Sequence, residues 1–373
     1  MSAAPKAKRA ATVGGGTATA PPAKRPAVTL SRLHEKKQLG EPIVMVTAYD
    51  HPSAIAVEAA GVDMVLVGDS AANNVLGYPD TVPVTLPALT DKRERGEPIV
   101  MVTAYDFPSA RVAEAAGVDM VLVGDSGAMT VLGYDSTVPV SVDEMVVLAR
   151  AVRRGLKTPL LVGDLPFGSY EASDAQAIAT AQRFVKEAGV DAIKLERGGV
   201  AVQRARAIVD AGIPVQGHVG LTPQTATALG GYRAQGRTAQ RALDVTRDAL
   251  DLQDAGCFSI VFEAIPAAVA DTIMERMEVP VIGIGAGAST DGQVLVFHDL
   301  LGIYDGHSPR FAKRFASVKD EMVAGVRAYA EEVRAGTFPA AEHTYSIDPD
   351  ELERYRATLV PPAGIAWGPG EEM

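Results

Sequence analysis

The chain has 373 residues, of which 47% are hydrophobic and 22% are charged, with 36 Gly and 24 Pro. This composition is typical of a folded globular protein, and it excludes collagen, a disulfide-stapled scaffold and a wholly disordered chain. The single cysteine, Cys257, cannot form an internal disulfide. Because no apolar run approaches the ~20 residues that cross a bilayer, we expect a cytoplasmic protein with no membrane partner.

Charge is distributed unevenly along the chain. Residues 1–28 contain five basic and no acidic residues and carry a charge of +5. Since the net charge of the whole chain is −11, the remaining residues carry −16. An acidic body argues against nucleic acid as a partner, because phosphate binding requires a basic face. The tail is rich in Ala, Pro, Gly and Thr, and we predict that residues 1–28 are disordered. Its composition also imitates a transit peptide, so an organellar location remains an alternative.

The strongest organisational signal is a repeat whose two copies are offset by 56 residues. Residues 41–85 begin with EPIVMVTAYD and contain GVDMVLVGDS. Residues 97–141 repeat both strings unchanged, and the two segments share 35 identities in 45 aligned pairs. Solenoid architectures require about three or more repeats, and this chain has two. The pattern therefore indicates a duplicated segment rather than a repeat protein.

The rest of the chain has the length and rhythm of one barrel. Without the tail, one copy of the repeat and a Pro/Gly-rich C-terminal extension over 346–373, 261 residues remain, close to the ~250 of a β/α barrel. Short apolar runs alternate with helical stretches. The candidate strands are 99–103, 120–124, 160–163, 192–195, 214–217, 259–262, 281–285 and 294–297. We therefore predict an α/β fold, a (β/α)₈ TIM barrel, with a doubly wound open sheet as the alternative.

The two copies of the repeat receive different assignments. Only the second copy runs directly into the next predicted helix, 141–155, and strand, 160–163. We therefore assign residues 85–345 to the catalytic barrel, in which the second copy, residues 97–141 with weaker similarity over 86–96, is called the barrel copy. Residues 29–84 form an extra βαβ-like segment, the extra copy, whose hydrophobic strands have unpaired edges that favour association. It could dock on the barrel, exchange with the barrel copy or stay loosely folded.

Four acidic residues stand at the carboxyl ends of predicted strands, namely Asp125, Asp164, Glu196 and Glu263. In a β/α barrel this face carries the chemistry, so acids that emerge there converge on one pocket. A single Asp at a strand end is more often a helix cap. The functional interpretation therefore depends on several of the four acids acting together.

Strand alternation adds a cation to this pocket. Lys194 and Glu196 are two residues apart and share the inward face, while Ile193 and Leu195 point toward helices. Converging carboxylates repel one another unless a cation neutralises them, and an all-oxygen ligand set suits Mg²⁺. Zinc is disfavoured because one Cys and six scattered His show no ligand spacing. Lys194 has a structural salt bridge as its alternative role.

His218 lies at another predicted strand end, in the string PVQGHVGLTPQ. Imidazole titrates near neutral pH and can either contact a substrate or pair with groups of the pocket wall. Both interpretations of His218 stay open at this stage.

A series of motifs, in the same order along the chain, resembles a known protein family. They are VTAYDFPSA, LVGDSGAMTVLGYDSTVPVS, GDLPFGSY, IKLERGG, GHVGLTPQ, GGYRAQGR, VFEAIP and IGIGAGASTDGQVLVFHDLLG. Over roughly residues 97–345 the chain resembles the ketopantoate hydroxymethyltransferases, also called 3-methyl-2-oxobutanoate hydroxymethyltransferases. The resemblance implies a (β/α)₈ barrel, dependence on Mg²⁺, a homo-oligomer that is a decamer, and the first committed step of pantothenate synthesis.

The resemblance also implies a reaction and the residues that perform it. The family transfers a hydroxymethyl group from 5,10-methylenetetrahydrofolate to 3-methyl-2-oxobutanoate, which gives 2-dehydropantoate and tetrahydrofolate. The metal-binding acids of the family fall on Asp125, Asp164 and Glu196. Its substrate contacts fall on Asp125, Ser126, Asp164 and Lys194. Its proton acceptor falls on Glu263, which would take the proton from C3 of the keto acid.

The extra copy departs from the family pattern near its acid. It keeps Asp69 and Ser70, but the residues 71–74 read AANN where the barrel copy has GAMT at 127–130. It is also not followed by the strands that supply the later acids. We therefore predict that Asp69 is not a metal ligand.

Two other functions fit the same acids. A Mg²⁺-dependent 2-oxo acid lyase of the phosphoenolpyruvate mutase type would turn over without any tetrahydrofolate derivative. An inactive scaffold, whose assembly the duplication has spoiled, would show no Mg²⁺-dependent proton exchange at C3 of the keto acid. The presence of all four acids and Lys194 downstream of the extra copy favours the active enzyme.

Overall fold

The structure is a computed structural model that describes residues 27–48, 51–67, 84–304, 306 and 309–359. The chain divides into two compact units, residues 1–81 and residues 82–373. Most of the predicted N-terminal tail, Asp69 with its neighbours, and residues 360–373 lie outside the described residues. The predicted domain boundaries, including the one between residues 84 and 85, stay predictions.

The first unit is a small parallel βαβ-like piece, as predicted for the extra copy. Its elements are α1 (Leu30–Leu39), β1 (Met45–Thr47), α2 (His51–Ala59) and β2 (Met64–Leu66). β1 and β2 pair in parallel, and Met45 lies opposite Met64. The hydroxyl of Thr29 accepts a hydrogen bond from the backbone of Arg32 at the start of α1. The segment therefore has its own local structure.

The second unit contains a closed barrel of eight parallel strands. They are β3 (Ile99–Thr103), β4 (Met120–Val123), β5 (Leu160–Asp164), β6 (Ala192–Lys194), β7 (Val215–Gly220), β8 (Ser259–Glu263), β9 (Val281–Ile284) and β10 (Gly292–Leu295). Neighbouring strands follow the chain order, and β10 pairs with both β9 and β3. Because β10 pairs with both neighbours, the barrel is closed. The TIM-barrel prediction is confirmed, and the open sheet is excluded.

Helices follow most of the strands. In the second unit they are α3 (Leu86–Glu94), α4 (Phe107–Ala116), α5 (Gly127–Thr130), α6 (Val142–Gly155), α7 (Asp174–Arg183), α8 (Val200–Asp210), α9 (Ala226–Leu229), α10 (Ala239–Asp254), α11 (Ala267–Met274), α12 (Phe297–Leu300), α13 (Val318–Ala335) and α14 (Pro349–Leu359). Ser141 and Glu144 form a reciprocal capping box at the start of α6. α14 lies in the predicted C-terminal extension, where Asp348 caps its first turn. Among the described residues, no helix is long and apolar enough to cross a membrane.

The hydrophobic core has two layers, one inside the barrel and one between the strands and the helices. The inner layer contains Met101, Met120 and Ile282, and Leu89 of α3 belongs to it. Since α3 precedes β3, the side chain of Leu89 closes the amino-terminal end of the barrel. The outer layer contains alternate strand residues such as Val121. With the lower part of the interior filled, the opposite end is left for polar side chains.

Two strand predictions need correction. β7 continues to Gly220 rather than ending at residue 217, so His218 lies within the strand and not at its end. β10 starts at Gly292, two residues before the predicted start, and Phe297 already belongs to α12. A side chain at position 292 would meet the carbonyl oxygen of Ile99 at 2.3 Å, so the closing strand must begin with glycine. Glycine has low strand propensity, and the sequence pattern therefore placed the strand too late.

Candidate active site at the carboxyl ends of the barrel strands

A buried ion pair forms the floor of the site. Asp164 and Lys194 are the last residues of β5 and β6 and face each other in the parallel register. The Lys194 Nζ atom lies 2.6 Å from Asp164 Oδ1, and both side chains are at most 5% exposed. Burial opposes the charge of Lys194, but nearby Asp164, Glu196 and Asp125 raise its pKa overall. Lys194 is therefore the inward cation that strand alternation predicted.

Asp125 follows β4 and lies beside this ion pair. Its backbone N–H donates to Asp164 Oδ2 at 3.2 Å, and its Oδ2 accepts from Gln224 Nε2 at 3.0 Å. Burial, together with repulsion from Asp164 and Glu196, raises the pKa of Asp125 well above its usual value. The site thus crowds several carboxyl groups around one lysine.

His218 lies between two acids of the pocket. Its Nδ1 is 3.2 Å from Glu196 Oε2, and its Nε2 is 3.2 Å from Glu263 Oε2. These contacts have ion-pair distances, although the N–H directions are not aligned for ideal hydrogen bonds. Burial alone lowers the pKa of His218, but the two carboxylates outweigh it and raise the pKa to about 9. Of the two interpretations of His218, the contacts in the structure match the one in which it pairs with groups of the pocket wall.

The chain turns sharply after two of the acids. Arg197 and Ala264, which follow Glu196 and Glu263, have φ values of 86° and 49°, in the left-handed region that side chains disfavour. Such conformations persist only where the surrounding structure holds them, and they cluster at functional sites. The turns are held by hydrogen bonds from Arg197 N to His218 O at 3.0 Å and from Ala264 N to Ile284 O at 2.9 Å. Both acids are thus fixed at the rim by backbone bonds.

Ser126 lies at the edge of the same pocket. Its Oγ is 2.8 Å from the hydroxyl of Tyr105, a residue at the end of the first barrel strand that is 1% exposed. Gly127 follows, and a Cβ atom at this position would approach Tyr105 Cδ1 to 2.7 Å. Glycine is therefore required for the chain to pass behind the tyrosine ring and present Ser126.

The structure brings the predicted residues to one end of the barrel. Asp125, Asp164, Lys194 and Glu196 form one charged cluster, and His218 connects Glu196 to Glu263. β8, which carries Glu263, is opposite β4 in the closed strand order. Glu263 is the most accessible of the four acids, with 16% of its side chain exposed.

Sequence reasoning missed three residues of the site, Gln224, Tyr170 and Tyr105. Gln224 contacts Asp125 and Glu196, while the hydroxyl of Tyr170 contacts Gln224. Each of them lies in a motif quoted above, Gln224 in GLTPQ, Tyr170 in FGSY and Tyr105 in VTAYD, and its polar or aromatic side chain was the available signal. None of these motifs indicates which distant residue its side chain reaches.

The donor set at this site fits a hard divalent cation in its chemistry. Among the described residues, no group of three or more His, Cys, Asp or Glu side chains is arranged to hold one metal ion. Asp164 Oδ1 is paired with Lys194, and Glu196 Oε1 accepts from the Gln224 backbone. Mg²⁺ needs only one or two carboxylates, because water and substrate oxygens complete its shell. The clustered buried carboxylates supply such oxygens.

Comparisons with known proteins follow the same division as the structure. The family model described as ketopantoate hydroxymethyltransferase matches residues 27–90 and, separately, residues 84–341. A 3-methyl-2-oxobutanoate hydroxymethyltransferase of Moorella thermoacetica is 52% identical over 262 residues, which cover 70% of this chain and 97% of the relative. The enzyme named 3-methyl-2-oxobutanoate hydroxymethyltransferase 1, mitochondrial, of Arabidopsis thaliana is 51% identical over 283 residues, 74% of this chain and 82% of the relative.

Among solved structures, a phosphonopyruvate hydrolase aligns with a TM-score of 0.48 and 14% identity, over 74% of this chain and 98% of that chain.

The closed barrel with charged side chains at its carboxyl end defines the class of TIM-barrel enzymes. The family model and the relatives narrow this class. The chain belongs to the ketopantoate hydroxymethyltransferase family, and it is a hydroxymethyltransferase enzyme. Residues 27–90 and residues 84–341 each match the family model, as a duplicated segment would.

Proposed function

We propose that the protein transfers a hydroxymethyl group from 5,10-methylenetetrahydrofolate to 3-methyl-2-oxobutanoate, with 2-dehydropantoate and tetrahydrofolate as products, in pantothenate synthesis. Family membership supports the activity. The observation that carries the assignment is the buried Asp164–Lys194 pair beside Asp125, opposite Glu263. This arrangement offers a charged binding floor on one side of the pocket and an accessible base on the other.

The floor binds the polar end of the keto acid. Lys194 offsets the negative charge of the substrate carboxylate, and the Ser126 hydroxyl, held by Tyr105, donates to a substrate oxygen. Asp125, Asp164 and Glu196 would hold Mg²⁺, with one or two of these carboxylates as direct ligands and water or substrate oxygens as the others. When bound, the cation would supply Lewis-acid stabilisation of negative charge on the keto oxygen.

Glu263 is the proton acceptor at C3 of the keto acid. The C3–H bond breaks, the proton passes to the Glu263 carboxylate, and the electron pair forms the enolate. His218, charged at neutral pH because its pKa is about 9, keeps the Glu263 carboxylate oriented at the rim. C3 then forms a bond to the one-carbon unit of the folate. Both carbon–nitrogen bonds of the methylene bridge, to N5 and N10 of the folate, break, and water supplies the hydroxyl group of the product. The proton taken from C3 and the second proton of the water go to the two folate nitrogens.

Deuterium exchange at C3 of 3-methyl-2-oxobutanoate in D₂O tests the proton acceptor. We expect exchange that requires Mg²⁺ in the wild type and falls about 10²–10⁴-fold in Glu263→Gln, the range for a general base. Glu275→Gln, at an exposed position after α11, is the matched control. Exchange unaffected by Glu263→Gln removes Glu263 from this role.

Product analysis distinguishes the proposal from the alternatives. Formation of 2-dehydropantoate only when 5,10-methylenetetrahydrofolate is present supports the transferase. Turnover of a 2-oxo acid without the folate indicates a lyase. Absence of both turnover and exchange indicates an inactive scaffold.

We also propose that the protein is a homo-oligomer, a decamer, located in the cytoplasm. Family membership supports the decamer, and bacterial relatives such as that of Moorella thermoacetica favour the cytoplasm. Light scattering coupled to size-exclusion chromatography measures the number of chains, and a monomer would contradict the proposal.

A further inference from the structure

The side chain of Gln224 is fully engaged in the active site. Its Nε2 donates to Asp125 Oδ2 at 3.0 Å and to the carbonyl oxygen of Leu165 at 2.9 Å, so both amide hydrogens are used. Its Oε1 accepts from the hydroxyl of Tyr170 at 2.8 Å. Gln224 is 4% exposed, and none of these bonds competes with bulk water. An amide in this environment has a strong orientational preference.

Two acceptors on one side and the Tyr170 hydroxyl on the other set which way the amide of Gln224 faces. If the Gln224 amide flipped, its oxygen would face two acceptors, the Asp125 carboxylate and the Leu165 carbonyl. Both contacts would become repulsive, and buried acceptors without donors are costly. On the opposite side of the amide, the Tyr170 hydroxyl donates to Gln224 Oε1 at 2.8 Å and reinforces this orientation.

The backbone of Gln224 holds a second acid. Its N–H donates to Glu196 Oε1 at 2.7 Å. Gln224 lies in a short 3₁₀ turn, Pro223–Thr225, that crosses the barrel mouth after β7. The turn starts from Gly220, which has φ 96° and no room for a Cβ atom, since one would approach the Glu263 carbonyl to 2.2 Å. One residue therefore connects the acids that follow β4 and β6.

We propose that Gln224 is a positioning residue that, held in one orientation by the Leu165 carbonyl and the Tyr170 hydroxyl, fixes Asp125 and Glu196 in the arrangement that receives the divalent cation and the keto acid. This inference rests on the proposed function for the identity of cation and substrate. Gln224 contacts neither directly in the proposal, and it acts through the two acids. Substitution of a residue that orients a ligand costs about 10–100-fold in metal affinity or activity.

The first test is Gln224→Met in the full chain. Methionine has nearly the same shape and removes all three side-chain hydrogen bonds, while the backbone bond to Glu196 remains. Titration calorimetry with Mg²⁺ alone should show a dissociation constant about 10–100-fold weaker than that of the wild type. The KM for Mg²⁺ in the exchange assay should rise by a similar factor. A residue with a purely structural role would lower the melting temperature and leave Mg²⁺ affinity unchanged.

The second test is Tyr170→Phe, which removes one hydroxyl and leaves Gln224 in place. Loss of one buried hydrogen bond predicts a smaller weakening of Mg²⁺ affinity, about 3–10-fold. Because Tyr170 acts through Gln224, the double variant should bind Mg²⁺ no more weakly than Gln224→Met alone. Exposed positions supply the matched controls, Gln240→Met on α10 and Tyr329→Phe on α13.

The outcomes separate the inference from the proposed function. Wild-type Mg²⁺ affinity in Gln224→Met, or additive effects in the double variant, overturns the positioning role. If Gln224→Met does not fold, Tyr170→Phe with unchanged affinity overturns it instead. If the wild type binds Mg²⁺ but forms no 2-dehydropantoate, the proposed function fails while the affinity comparison still decides the role of Gln224. If the wild type binds no Mg²⁺, the inference is wrong.

Discussion

The two copies of the repeat have nearly the same local structure and very different burial. β1 and β2 pair Met45 with Met64, and β3 and β4 pair Met101 with Met120 in the same register. Met45 and Met64 are 53% and 39% exposed, whereas Met101 and Met120 are 3% and 0% exposed. Identical strands therefore form the same pair in both places, and only the remaining barrel strands bury it.

An ion pair is also repeated. Lys36 Nζ lies 2.7 Å from Asp63 Oδ2 in the extra copy, and Lys92 Nζ lies 2.7 Å from Asp119 Oδ1 in the barrel copy. Asp63 accepts from the backbone of Val44 as Asp119 does from Val100. Local contacts thus follow from local sequence. Burial depends on long-range partners, and the described residues of the first unit do not supply them to the extra copy.

The largest expected difference between the copies concerns their aspartates. Asp125→Ala should lower kcat/KM about 10²–10³-fold, the range for loss of one preorganised electrostatic contact to the reacting group, because Asp125 is a proposed metal and substrate contact. Asp69→Ala should leave kcat/KM within about twofold of the wild type, because Asp69 is predicted not to be a metal ligand. Steady-state formation of 2-dehydropantoate measures both. The reverse pattern would show that the extra copy supplies the active site.

A smaller effect is expected at a position where the two copies have side chains of different size. Gly127→Ala introduces the residue that the extra copy has at position 71, and its Cβ would lie 2.7 Å from Tyr105 Cδ1 and 3.3 Å from Leu148 Cδ1. Overpacking of this kind should lower the free energy of unfolding by about 1–3 kcal/mol. Urea unfolding followed by circular dichroism measures it, with Ala71→Gly as the matched control. An unchanged midpoint for Gly127→Ala would show that this position does not distinguish the copies.

The smallest effect on catalysis is expected from deletion of the extra copy. A chain without residues 29–84 keeps all eight barrel strands and the Thr85 cap of α3, so kcat/KM should stay within about twofold. Light scattering of the deleted chain should fall, because exposed apolar strands promote association. Loss of activity on deletion would show that the barrel needs the extra copy.

Much of the site can be predicted from the alternation of side chains along each strand and from the position of residues at the strand ends. Alternation alone placed Lys194 inward, and the structure confirms it, since Ala192 packs in the inner core layer while Ile193 and Leu195 pack in the outer one. The four acids required only the rule that barrel chemistry lies after the strands. These inferences succeed because they depend on geometry that every parallel barrel shares.

The role of Gln224 could not be predicted in the same way. Its side chain reaches Asp125, 99 residues earlier in the chain, across a turn that reads only as Thr-Pro-Gln. The partner of Tyr170 is likewise 54 residues away. Such contacts depend on how loops cross the barrel mouth, and no periodicity in the sequence encodes that path.

The pairing of β3 with β10 closes the barrel, and it determines which copy of the repeat supplies the first barrel strand during folding. Phe297 N donates to Thr103 Oγ1 across 194 residues, so this pairing forms only after nearly the whole barrel has been synthesised. A ring closed through β1 instead would be 56 residues longer, and loop-closure entropy makes that difference worth only about 0.2 kcal/mol. Chain connectivity is therefore almost indifferent between the two repeats. The choice between the two repeats therefore depends on how well their side chains pack in the barrel. The two repeats can differ there by a single methyl group, as at Gly127 and Ala71.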